Sequence, residues 1–355
     1  MQKTTRTRSL ICGLALGVSP ATLVHADSFN WTIASGHPPV TKGVALLSSY
    51  FIPEVTTRLE AMGHTVAWTE AYGGSLAGVT EVLEAVEVGI TDFGYVPTIF
   101  EADRLPLEQV TYVTPFSSSN VSTMVSIIND LHDRVPAMEA AWTDANQKRL
   151  AASVVDSYQI ITDFEWTDLS DLQGRKIVSG GLSTNWLRGT GATALAGSLP
   201  EYYNAVRTGL ADGIIVFESA IAPYKFYEVA PYISSINFGP QSASALSVNL
   251  DSWGQIPPDV QAVIEEVASE YEAKVAVGYE EIAAKSVATA QENGAIVVSL
   301  ADEARVAYAM AMPNIAREWA AGVDAQGKAG TETLEAYLAA LADAGAHFVR
   351  DWAAD

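Results

Sequence analysis

Cysteine occurs once in this 355-residue chain, histidine five times, and 20 Lys and Arg face 42 Asp and Glu, for a formal net charge of −22. Each shortage excludes something. A single cysteine forms no intrachain disulfide. The histidines, at 25, 37, 64, 132 and 347, show neither H-x-x-x-H nor H-E-x-x-H spacing, so no transition-metal site is expected. Nucleic acid is bound by Lys and Arg that displace counterions from phosphates, and the charge balance excludes that partner. Anionic membrane surfaces are disfavoured for the same reason. There is no G-x-x-x-x-G-K-[ST], Gly189-Thr190-Gly191 lacks the third glycine of a dinucleotide loop, and Gly73-Gly74-Ser75-Leu76-Ala77 ends in alanine where a nucleophile elbow needs glycine. Ser75 reads instead as the cap of a following helix. Carboxylates are plentiful, but nothing marks out a catalytic pair, and they read as a solvated surface. No cofactor, no metal and no enzymatic chemistry is expected.

What is present is a core. Hydrophobic residues make up 49% of the chain and charged ones 17%, far from a disordered composition. At ~100–200 residues per domain, the length fits two lobes or one large domain. Lys3, Arg6 and Arg8 precede the apolar stretch Ser9 to Val18, and Val24-His25-Ala26 offers a small-residue cleavage site before Asp27. Residues 1–26 therefore read as a signal peptide cleaved after Ala26. The apolar stretch is shorter than the ~20 residues of a spanning helix, and Cys12 follows Ile11, which lacks the small side chain that lipoprotein processing wants. A periplasmic protein without stable membrane insertion is expected. The segment carries three positive charges and no acid, so 17 basic against 42 acidic residues leave −25 on residues 27–355. That acidity fits solubility in a bacterial envelope, adaptation to salt, or attraction of cations.

Phe29 to Ala34 reads as a strand, and Leu47, Phe51, Val55 and Leu59 place one apolar stripe on a helix over about 44–62, ended by Gly63. Thr65 to Thr69 alternates as a strand, and Leu76, Val79, Leu83 and Val86 mark a second helix ended by Gly89. Strand, helix, strand, helix is α/β order. An echo follows: Ala85-Val86-x-x-Gly89-x-x-Asp92 recurs as Ala205-Val206-x-x-Gly209-x-x-Asp212, each before an apolar strand whose carboxyl end would reach a crevice. Leu150 to Val155 reads as a small apolar strand. The division between lobes is placed there: lobe I over 27–150 and about 243–285, lobe II over 151–242 and about 286–355. Pro257 and Pro258 open a helical tract over about 259–293, either one spine helix of ~50 Å along both lobes or two helices broken near Gly278. Glu303 to Asp355 is Ala-rich and reads as helical.

Asp168-Leu169-Ser170-Asp171-Leu172-Gln173-Gly174-Arg175-Lys176-Ile177, then Asn185-Trp186-Leu187, then Glu201-Tyr202-Tyr203-Asn204-Ala205-Val206-Arg207-Thr208-Gly209-Leu210-Ala211-Asp212-Gly213 resemble the solute-binding proteins of TRAP (tripartite ATP-independent periplasmic) transporters, the DctP-like family. Tyr72-Gly73-Gly74-Ser75-Leu76, Glu84 to Asp92 and Thr114-Pro115-Phe116 agree. The resemblance implies a two-lobed α/β periplasmic binding protein fold with hinge strands and a long spine helix. It also implies capture of a small solute for a permease of one large and one small membrane subunit.

The family pattern puts an arginine after the K-I of the second-lobe strand, another about twenty residues earlier, and an asparagine four residues after the D of D-G. This chain has Val178, Tyr158 and Val216 there. Without those anchors for an acid, the expected ligand is a small amine or amino alcohol such as ethanolamine, held by a carboxylate and aromatic faces; an organic acid, or presentation of the ligand to a sensor protein, is the alternative. Glu218, ending the apolar strand Ile214 to Phe217, is the first candidate for the carboxylate, with a salt bridge to Lys225 or a solvated strand end as the plain alternative. Asp156 beside Tyr158 is the second, with a turn cap as its alternative. Tyr95, Tyr158, Trp186, Phe93 and Phe217 are the candidate walls, and His37, Glu70 and Asn185 the candidate polar contacts.

Overall fold

The computed structural model describes Gln2, residues 27–117 and residues 119–354. The expected signal peptide, Gln2 apart, and Cys12 lie outside the described residues. Eleven strands among these form two sheets. The first contains β1 (Ser28–Ser35), β2 (Thr65–Ala71), β3 (Phe93–Val96), β4 (Gln147–Val155) and β10 (Gln241–Asn249), in the order β2-β1-β3-β10-β4. The second contains β5 (Tyr158–Thr162), β6 (Lys176–Ser179), β7 (Thr193–Ala196), β8 (Gly213–Phe217), β9 (Tyr232–Ser234) and β11 (Ile296–Val298), in the order β11-β9-β5-β8-β6-β7. Parallel pairs β1/β2, β1/β3, β6/β7 and β6/β8 are the βαβ units; β10 is antiparallel to β3 and β4, and β5 to β8 and β9.

The chain passes between sheets at Asp156-Ser157 and again between β9 and β10. The expected division near residue 150 falls inside β4. The two passages lie side by side, with Val155 opposite Gln241 in the ladder and the Phe238 amide donating to the Tyr158 carbonyl at 3.1 Å. The long helix Pro258–Glu292 is a third tie, and it is continuous through Gly278. A Cβ at Gly278 would collide with the Lys42 stem, so the glycine makes room for a neighbour and breaks nothing. Tyr271 of this helix donates to the Gly43 carbonyl at 2.9 Å in lobe I, while Ser286 accepts from the Ala222 amide at 2.9 Å in lobe II.

The sequence echo has a structural cause. Gly89 and Gly209 end their helices at φ +74° and +71°, a region open to glycine at little cost. Asp92 then accepts the Thr32 amide at 2.8 Å through its carboxylate and donates its own amide to the Thr32 carbonyl. Asp212 does the same to Lys176, at 2.7 Å. Each lobe thus stitches one parallel strand to the residue that opens the next.

Three helical expectations are corrected. The helix expected over 44–62 runs over Lys42–Leu46, a π-helical turn at Leu47–Phe51, and Ile52–Ala61; Pro53 has no amide to donate backwards, and the wide turn absorbs the missing bond. The next helix is only Val82–Glu87. Residues 75–81 make turns in which Glu81 accepts from the Gly78 amide, so Ser75 caps no helix. The C-terminal tract is three helices, Asp302–Ala311, Ile315–Asp324 and Gly330–Asp343.

A charged network is buried where β4 meets the helix Val121–Arg134. His132 contacts Glu108 at 2.8 Å and Glu139 at 3.0 Å, and Trp142 donates to Glu108 at 2.8 Å. Burial pushes Glu108 up, but the His132 imidazolium, with Arg149 and Trp142, overcomes this and holds it at about 2. Burial pushes His132 down, and the two glutamates raise it above its ordinary 6.5. A raised folded-state pKa contributes stability that is complete below 6.5 and is lost as pH rises through the folded value. His132→Gln should therefore cost about 2–4 kcal/mol in urea unfolding at pH 6. The gap to the parent should narrow at pH 9; a pH-independent gap would mean that packing alone makes the contribution.

A phenol-lined cleft at the hinge

The cleft between the lobes is narrow, with a cavity volume of about 40 Å³. It opens at the carboxyl ends of β1, β3, β6 and β8, where open α/β sheets place their ligands. Lobe I contributes His37, Thr41, Tyr95, Ile99 and Phe100; lobe II contributes Gly180, Leu199, Tyr202, Val216 and Phe217. The hinge adds Tyr158 and Ser244, and the long helix adds Tyr279.

The phenols are held in place by bonds leading away from the cleft. Tyr95 shares a 2.7 Å hydrogen bond with Ser153 and packs on Gly43, where any Cβ would strike its ring. Tyr158 shares one of 3.1 Å with Tyr112, whose carbonyl accepts from the Trp186 indole at 2.6 Å. Trp186 stands edge-on to Tyr158 at 5.5 Å and lies over Phe238 at 4.6 Å. Burial raises the pKa of Tyr95, Tyr158, Tyr202 and Tyr279, so all four are neutral donors.

The lobes are closed upon each other. Thr41 of lobe I and Tyr224 of lobe II share a 2.8 Å hydrogen bond at the cleft edge. Gly181, at φ +49°, approaches the Ile99 carbonyl so closely that a Cβ would collide with it. His37 is 7% exposed, its Nδ1 has no partner, and burial lowers its pKa to about 4.

Of the ten residues expected in the site, His37, Tyr95, Tyr158 and Phe217 line the cleft. Trp186 stands behind Tyr158. Phe93 shares the face of Tyr95 but lies deeper along β3, in the core, 5.2 Å from Trp68 and 5.6 Å from Trp31. Glu70 is exposed and accepts from Ser48. Asn185 is half-buried in the turn Gly181–Leu187. The two carboxylates are also outside the cleft lining. Glu218 accepts from the Gln159 side chain at 2.7 Å, and Gln159 alternates with Tyr158 along β5, which turns it to the other face. Burial raises Glu218 above its ordinary range, while Lys225 lies 3.9 Å from Glu228. Asp156 accepts the Ser219 amide at 3.1 Å, and burial lifts it to about 7.

Sequence reasoning missed Thr41, Tyr202 and Tyr279. Tyr202 stood inside the motif that carried the family resemblance, and Tyr279 follows the glycine weighed as a helix break. No Arg, Lys, Asp or Glu is among the described residues lining the cleft. Val178 is buried under Gly197, and Tyr158 and Val216 form wall. Lys42 lies beyond Thr41 in a separate small pocket.

Two α/β lobes joined by adjacent crossings, closed over a cleft at their strand ends, define a hinged binding protein. Residues 61–322 match the family model of bacterial extracellular solute-binding proteins, family 7 (DctP), and the chain belongs to that family. Similar solved structures include an extracytoplasmic solute receptor of Bordetella pertussis binding pyroglutamic acid (17% identity, 87% of this chain and 99% of that one, TM-score 0.77). A TRAP periplasmic solute-binding protein of a Sulfitobacter species with bound β-D-galacturonate gives 18%, 87%, 99% and 0.74. A TRAP solute-binding protein of Rhodoferax ferrireducens with copurified benzoate gives 17%, 88%, 98% and 0.78. The expected fold class is thereby shown, and the family is one of extracytoplasmic receptors that bind small solutes.

The bond between Thr41 and Tyr224 links the lobes in the closed form, and a neutral hydrogen bond contributes about 0.5–1.5 kcal/mol net. Thr41→Val and Tyr224→Phe should each raise the open population about 2–10-fold, read as a larger radius of gyration in X-ray scattering without ligand. The double variant should add little to either single one. An unchanged radius in all three would mean that the bond does not hold the lobes together.

Proposed function

We propose that this chain is the periplasmic receptor of a TRAP transporter, exported by residues 1–26, that closes on a small organic acid and delivers it to the large and small permease subunits. The observation that carries the choice of ligand is the absence of any Asp or Glu side chain from the cleft lining. An ammonium group would need such a partner, and the residue expected to supply it, Glu218, is hydrogen-bonded to Gln159 instead. A carboxylate is an acceptor only and needs donors. The hydroxyls of Tyr158, Tyr202 and Ser244 and the imidazole of His37 are such donors around one volume. The solved relatives with bound pyroglutamic acid, galacturonate and benzoate carry acids, which favours the acid over ethanolamine. The aromatic walls fit a solute with an apolar or ring-shaped body.

A thermal-shift screen of residues 27–355 against monocarboxylic acids, sugar acids, amines and polyols tests this reading. An acid at 100 times its Kd adds about 2.7 kcal/mol and should raise Tm by about 5 °C. Ethanolamine and other amines should leave Tm unchanged. Stabilisation by amines and not by acids overturns the reading.

A further inference from the structure

Burying an unpaired charge is costly, so an anion that enters a closed cleft must meet a cation there or acquire one. The lining of this cleft supplies none: its polar groups are phenols, Ser244, Thr41 and one imidazole. His37 is the only group among them that can become positive. It is almost fully buried, its Nδ1 has no hydrogen-bond partner, and its backbone amide is already committed to Ser35 Oγ at 3.1 Å. We propose that the cleft takes up its organic acid together with one proton from solvent, which comes to rest on His37 and makes the imidazolium the counter-ion of the bound carboxylate. This rests on the organic-acid reading above.

The surroundings leave the role to His37. Tyr95 on β3, Tyr158 on β5, Tyr202 after β7 and Tyr279 on the long helix are the other titratable groups of the lining, and burial keeps all four neutral. At the end of β2, beside the loop whose Gly73 amide donates to the His37 carbonyl, Glu70 bonds to Ser48 and Tyr72 is a phenol raised by burial. Asp156 and Glu218 lie outside the lining, on the hinge. Lys42 is separated from the cleft by Thr41, with its stem packed over Gly278. No charge faces His37, and burial alone holds the empty-form imidazole down, at about 4. A carboxylate set beside it reverses the balance, since an opposite charge within ~4–6 Å favours the protonated form.

The sign of the pH dependence follows. With the pKa low in the empty form and raised in the bound form, binding takes up a proton at any pH between the two values. Over that window affinity falls about tenfold for each unit of rising pH. The acid's own carboxyl, with an ordinary pKa near ~4, stays ionised there and adds nothing. Above the bound-state value the imidazole stays neutral and affinity levels off.

Calorimetric titration of residues 27–355 with benzoate, pyroglutamate and galacturonate at pH 5.5, 6.5 and 7.5, each in two buffers of different ionisation enthalpy, tests the proposal. At least one acid should bind about tenfold tighter at pH 5.5 than at 6.5 and take up close to one proton at pH 5.5. His37→Gln should abolish the uptake and flatten the pH dependence, with its melting temperature without ligand showing that it folds. His37→Lys, a permanent cation, should bind with no uptake and a flat profile. Lys42→Met should keep the parent's uptake. Binding of any of these acids without proton uptake, or uptake that survives in His37→Gln, overturns the proposal and leaves the acid reading standing. If none of the three stabilises or binds at any pH, the acid reading fails and the proposal with it.

Discussion

The pairing of β4, which leaves lobe I for lobe II, with β10, which returns from it, is the constraint on which the rest of the molecule depends. The first sheet lacks its central strand β10, and the second its edge strand β11, until the chain has crossed back, so neither lobe is complete within a continuous stretch of sequence. The two crossings come side by side because Val155 pairs with Gln241 in the same ladder. Between the lobes the two crossing segments lie side by side, joined by backbone hydrogen bonds, and the long helix is a third tie. The long helix is fixed near its middle to Gly43 and near its end to Ala222, which places Tyr279 between both attachments at the cleft.

From that constraint the position of the site follows. The parallel strands of both lobes run with their carboxyl ends toward the crossings, so the cleft collects the residues immediately after β1, β3, β6 and β8. The Asp92 and Asp212 clasps act at the opposite ends of the strands. They pin the sheets at the ends away from the cleft. The interior of the site is then built from phenols whose hydroxyls are already paired outward, as Tyr95 is to Ser153 and Tyr158 to Tyr112. Such rings keep their rotamers whether or not a solute is present, and this preorganisation lowers the cost of ordering on binding.

Much of this was legible in the sequence, for identifiable reasons. The strands at 29–34 and 65–69, the long helix after two prolines and the repeated glycine-to-aspartate spacing all report local physics, and the structure reproduces them, whereas the helix expected from Leu76 shrinks to Val82–Glu87. The division of lining from core among the aromatics was not legible. Phe93 and Tyr95 are two residues apart on one strand and so share a face; only Tyr95, nearer the carboxyl end, reaches the cleft, and no periodicity says how far along a strand the lining begins. The partner of Glu218 was not legible either: an acid ending an apolar strand needs a partner, and Gln159 belongs to the neighbouring antiparallel strand, whose register only the fold reveals. Tyr279 and Thr41 reach the cleft from distant segments, and no local pattern brings them together.

The acidity of the chain takes its meaning from this arrangement. Residues 27–355 carry a formal charge of −25, and none of the described residues lining the cleft is an Arg, Lys, Asp or Glu. A negative surface slows the approach of an anion, and salt relieves that effect over a Debye length of ~10 Å at 0.1 M. The same field favours protonation of an imidazole inside the protein once an anion is beside it, because each added negative charge stabilises the cation. An arginine at position 178 would hold the acid more simply, but as a permanent charge it would also remain buried and unpaired in the empty closed form. A histidine that is neutral when the cleft is empty avoids that penalty. The closed form can then exist without solute, with His37 uncharged and the lobes linked by Thr41 and Tyr224.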